Sequence, residues 1–107
     1  MELTPRIRQR ILRDFGEGER EAVEGMLTDL QQSLDRHVDK ERITAATLLH
    51  AAGNMDALLL AVQDARDDWR DVLMGSGLEH DGWERRLDAE FGPAARRGLP
   101  GWRKFFG

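Results

Sequence analysis

Apolar residues recur every three to four positions along five separate stretches of this chain, and no run alternates apolar with polar residues over a strand's length. A period near 3.6 buries one side of a helix, whereas a period of two buries one side of a strand. The pattern predicts an all-α fold: a compact bundle of about five helices with an irregular C-terminal tail. At 107 residues the chain has the size of one domain. It divides into a helical domain over 1–92 and a basic-aromatic tail over 93–107, the tail being expected to pack on the same domain.

Local signals place the helices. Thr4 is a suitable N-cap, and Pro5 costs nothing at a first helical position, where its missing N–H has no partner to lose. The first helix is therefore expected over Pro5 to Phe15, with Ile7, Ile11, Leu12 and Phe15 on one face. A second is expected from Glu19 to about His37, striped by Val23, Met26, Leu27, Leu30 and Leu34. Asp39 caps a third from Lys40 to Ala52, rich in alanine, whose small side chains allow close approach of a neighbour. Asn54 caps a fourth running to about Met74, with Met55, Leu58, Leu59, Val62, Ala65, Trp69, Val72 and Leu73 on its core side. This fourth helix is expected to be the central or longest member. A fifth starts at Asp81, where Asp81 and Glu84 have capping-box spacing, and ends at Gly92-Pro93.

Composition narrows the function classes. Hydrophobic residues make up 40% of the chain and charged residues 34%, a balance that can support a core. There is no cysteine, which removes disulfides, thiolate metal sites and cysteine nucleophiles, and favours a reducing, cytoplasmic setting. The N-terminus has no apolar run of the signal-peptide kind. The longest apolar stretch, Ala57 to Val62, is too short to span a bilayer. Charge is uneven: residues 16–92 sum to −10, while 93–107 carry four basic groups and no acid. The acidic body argues against nucleic acid as partner, because phosphates would be repelled.

Carboxylates offer the most visible chemistry. Asp67-Asp68-Trp69-Arg70-Asp71 has the form of the aspartate-rich signature of isoprenoid synthases, but those enzymes enclose substrate in a large helical barrel. Arg66 and Arg70 are also placed to pair with these aspartates across one turn. A second metal reading follows small all-α pyrophosphohydrolases, with Glu21 and Glu24 facing Asp64, Asp67 and Asp68 across Mg²⁺, an oxygen-seeking ion. Carboxylates at helix starts and on solvated faces need no ligand to explain them, and no lysine cluster awaits phosphates. A DNA-binding regulator would use Arg6, Arg8, Arg10 and Arg13 on phosphates, yet no basic helix suits a major groove. Of the histidines, only His50, in its alanine-rich setting, merits a test for chemistry. Ser76 between Gly75 and Gly77 reads as a loop residue.

The expectation is a small non-enzymatic interaction or regulatory module needing no cofactor, binding another protein or a second copy of itself, as in a homodimer. Its candidate binding residues are Arg96, Arg97, Trp102, Arg103, Lys104, Phe105 and Phe106. Basic and aromatic side chains together suit an acidic groove or an anionic surface. Closure of the domain's own core, with the basic groups pairing with its acidic body, is the simpler expectation.

Overall fold

A computed structural model describes residues 3–92. They form six helices and no strand: α1 (Pro5–Asp14), α2 (Glu17–Ser33), α3 (Lys40–Ala51), α4 (Met55–Asp67), α5 (Trp69–Leu73) and α6 (Trp83–Phe91). The all-α class is as the periodicity indicated. The tail and its seven candidate residues, Arg96, Arg97, Trp102, Arg103, Lys104, Phe105 and Phe106, lie outside the described residues.

Local chemistry set several boundaries. The Asp39 carboxylate accepts from the Arg42 N–H at 3.1 Å, and the Asn54 side chain accepts from the Ala57 N–H at 2.9 Å. Each satisfies a backbone donor that a helix start otherwise leaves unpaired. Gly92 ends α6 with φ 87°. Other boundaries moved. Thr4 stands at the N-cap but makes no cap bond; its hydroxyl donates to Glu41 Oε2 instead, at 2.6 Å. Helix α2 stops at Ser33 rather than near His37, because the Asp35 carboxylate accepts from the His37 N–H at 3.1 Å and sets a turn. At α6 the expected capping box does not form: Gly82, at φ 82°, is the N-cap, with no side-chain bond.

The long fourth helix is the main correction. It breaks at Asp68, whose backbone is extended (φ −156°) and whose carboxylate accepts from the Arg70 N–H at 3.1 Å. An aspartate can cap its own downstream backbone and so compete with helix continuation. The break turns α5 onto α3, burying Val72 and Leu73.

Nor is α4 the centre. Helix α3 packs against all five others, and α2 is the longest. Every residue from Ile43 to Leu48 is buried. Six consecutive buried positions cover more than one full turn, so this segment is enclosed on every side by its neighbours. Its two buried threonines bond within the helix: Thr44 Oγ1 donates to Lys40 O at 2.7 Å, and Thr47 Oγ1 to Ile43 O at 2.8 Å. Ile7, Ile11, Leu27, Leu30, Leu58, Leu78 and Leu87 close around it. Among the described residues, no helix is long and apolar enough to cross a membrane.

Candidate functional site

The arginines of α1 hold the molecule together. Arg6 is buried at 9% exposure. Its Nε and Nη2 donate to both oxygens of Glu41 on α3, at 2.9 and 2.7 Å. Its Nη1 donates to Asp88 Oδ1 at 2.6 Å and to Gly92 O at 3.0 Å, reaching α6 and its end. The hydrogen bond to Glu41 raises the Arg6 pKa above the ordinary arginine range, against the opposing effect of burial. Arg10 donates to Asp14 at 2.8 Å and to the Glu90 carbonyl at 2.8 Å, and stacks over the Phe91 ring at 4.8 Å. Two of the four arginines considered for phosphate contacts are thus spent on fixing α6 to α1 and α3.

The carboxylates considered for Mg²⁺ are dispersed. Glu21, Asp64, Asp67 and Asp68 are exposed, and Glu24 is half-exposed. Among the described residues, no group of three or more His, Cys, Asp or Glu side chains is placed to hold a metal ion. Glu21 and Glu24 therefore do not join Asp64, Asp67 and Asp68 in such a group. His50 is exposed. Its Nε2 lies 2.7 Å from Val72 O and 3.1 Å from Met74 O. Carbonyls only accept, so Nε2 carries the proton there and ties α3 to the end of α5. Ser76 is buried; its hydroxyl donates to Leu73 O at 2.7 Å and accepts from the Leu78 N–H at 3.1 Å. It shapes the loop after α5.

No protein-family model, curated protein or solved structure matches this chain. Its site has to be read from its own surface.

Clefts among the described residues include three. The first, about 190 Å³, lies in the angle between α4 and α5, with Ala57, Leu60, Ala61 and Val72 as apolar lining and Asp64 and Asp71 as carboxylates beside His50. The second, about 450 Å³, mixes Asp35 and Asp39 with Arg42, Arg70 and His37, against Trp69. The third, about 300 Å³, is lined by Arg10, Arg13, Glu90 and Phe91. Among the described residues, four large apolar side chains are exposed: Leu12 (49%), Leu59 (53%), Leu60 (69%) and Met74 (60%). Leu60 lines the first cleft. Met74 follows α5, and Leu59 neighbours Leu60 on α4.

Apolar periodicity assigns Leu59 to the core and leaves Leu60 unplaced, whereas both are exposed. A signal was present. Leu58, Leu59 and Leu60 are consecutive, and successive helical positions are about 100° apart, so three in a row cannot share one face. Leu58 took the core, fully buried.

Proposed function

We propose that this chain is an interaction module that acts by binding polypeptide, with the α4–α5 cleft as its docking face. The observation that carries the reading is the exposure of Leu60 at 69% over an apolar floor rimmed by Asp64 and Asp71. Burying a leucine stabilises a complex by roughly 1.5–3 kcal/mol. At about 190 Å³ the cleft is smaller than the roughly 300 Å³ at which small-molecule sites begin. It suits one anchoring side chain of a larger partner, the arrangement in which a few buried anchors dominate binding. The carboxylate rim favours a basic partner segment, whose charge speeds encounter and fixes orientation. Self-association through this same face is disfavoured, since a two-fold pairing sets equivalent patches together and brings Asp64 and Asp71 towards their own copies.

The test is a methyl NMR titration of the full chain with a short amphipathic Lys/Leu peptide. Ala57, Leu60, Ala61 and Val72 are expected to shift together. Leu60→Asp is expected to weaken the peptide's affinity by about tenfold or more, a loss of about 1.4 kcal/mol. Shifts confined to other surfaces, or an affinity indifferent to Leu60→Asp, would overturn the reading.

A further inference from the structure

We propose that the second cleft, about 450 Å³ between the α2–α3 connection and the start of α5, binds a small zwitterion with an apolar side chain, of the amino-acid class.

Charges of both signs line this cleft without neutralising one another. Asp35 and Asp39 come from the α2–α3 connection, Arg42 from α3 and Arg70 from α5. Among the described residues, no ion pair joins either aspartate to either arginine. Each group is held by other contacts. The Asp35 and Asp39 carboxylates accept the backbone N–H of His37 and of Arg42, both at 3.1 Å. Arg42 Nε donates to Leu78 O at 2.7 Å, and its guanidinium lies over the Trp83 ring at 4.7 Å. Arg70 lies 3.7 Å from Asp68, at the break before α5, and over the Trp69 ring at 5.4 Å. His37 also lines the cleft.

Arg42 decides the reading. It is half-buried, yet among the described residues no carboxylate pairs with its guanidinium. A partly desolvated cation gains most from an anion that reaches it, through charge-assisted hydrogen bonds. With Nε committed to Leu78, the two terminal nitrogens remain for a carboxylate. Each aspartate has spent one oxygen on backbone and keeps the other for an ammonium. A ligand of a single sign would meet two like charges in this cleft, whereas a zwitterion matches both pairs.

Size and apolar lining agree. Val38, Ile43 and Trp69 supply the apolar wall. The volume falls within the roughly 300–1,000 Å³ of small-molecule sites, which combine such walls with a few placed polar groups. The other two clefts lack this arrangement. In the third, Arg10 lies 3.7 Å from Glu90 and Arg13 3.6 Å from Asp14, so its charges are compensated. In the α4–α5 cleft, Asp64 and Asp71 face no arginine or lysine.

The experiment titrates the full chain with three probes, L-phenylalanine, N-acetyl-L-phenylalanine and L-phenylalaninamide, read by NMR at the Val38 and Ile43 methyls and the Trp69 indole. L-phenylalanine is expected to shift these signals together and saturably. Each blocked probe, lacking one charge, should bind at least about tenfold more weakly. Two variants assign the charges. Arg42→Gln should bind L-phenylalanine and its amide alike. Asp35→Asn/Asp39→Asn, which keeps both side-chain oxygens for their backbone N–H groups, should bind L-phenylalanine and its N-acetyl form alike. The second variant stands as the test by itself if Arg42→Gln does not fold. No saturable shift by about 10 mM L-phenylalanine, tenfold above a millimolar Kd, overturns the proposal. So do equal affinities for the three probes, shifts confined to other surfaces, or discrimination that survives in the variants.

Discussion

Arg6 on α1 and Glu41 on α3 meet as two parallel hydrogen bonds, Nε to Oε2 at 2.9 Å and Nη2 to Oε1 at 2.7 Å, with Arg6 almost wholly enclosed. Asp88 on α6 takes a third guanidinium N–H at 2.6 Å. One side chain thus joins three helices far apart in sequence.

Replacing Arg6 by methionine is expected to cost about 3 kcal/mol, because Glu41, only 19% exposed, loses its two-pronged partner while remaining charged. Arg6→Lys should recover less than half, since an ammonium cannot match both carboxylate oxygens. Urea denaturation measures both. The raised Arg6 pKa gives a definite sign. The stabilisation linked to that shift is fully present below the ordinary arginine value and is lost only as pH rises through the folded one. Titration of Arg6 itself should therefore leave stability unchanged from neutral to mildly alkaline pH.

Gly53 and its neighbour should respond in opposite directions. Gly53 has φ +81°, and a Cβ there would lie 2.9 Å from the Asp14 backbone oxygen. Gly53→Ala combines left-handed strain with a clash against backbone, an expected loss of about 2 kcal/mol or more. Ala52 sits at φ 49° with its side chain exposed. Ala52→Gly should raise stability by about 0.5–1 kcal/mol, since glycine adopts this conformation without penalty. Paired thermal melts decide it.

Gln31 is buried with Nε2 donating to Thr44 Oγ1 at 3.0 Å and Oε1 unpartnered. Removing the whole amide relieves an unpaired acceptor at the expense of one neutral hydrogen bond. Thr44 keeps its bond to Lys40 O. Gln31→Met, close in volume, is expected to stabilise by about 1 kcal/mol. A clear loss on chemical denaturation would refute this.

Leu58 and Leu60 lie two positions apart with opposite fates. Leu58→Ala should cost about 2–5 kcal/mol as a core truncation. Leu60→Ala should change stability by less than about 0.5 kcal/mol, its side chain being 69% exposed. Equal effects on the melting temperature would contradict the orientation of α4.

Much of this fold was legible from short-range chemistry. Asp39 and Asn54 cap helices because each bonds an N–H three residues ahead, a relation contained within one turn. The stop at Gly92 and the stripe through Val23, Leu27 and Leu30 are local in the same sense. Asp68 shows where such reasoning failed. The apolar spacing runs unbroken through it, and its backbone-capping carboxylate, together with burial of Val72 and Leu73, favoured a break.

By itself the sequence determined an all-helical chain, the helix starts at Pro5, Lys40 and Met55, and a core of Ile, Leu and Val at helical spacing. Those properties follow from backbone hydrogen bonding and side-chain direction within a few residues. Tertiary structure decided the rest: α3 at the centre, Arg6 turned inward rather than to solvent, and Leu60 left outside while Leu58 went in. The contacts responsible join residues as far apart as 35 positions, for Arg6 with Glu41, and 82, for Arg6 with Asp88. Periodicity sets which side of a helix is apolar, but only packing against its neighbours sets how much of that side they cover.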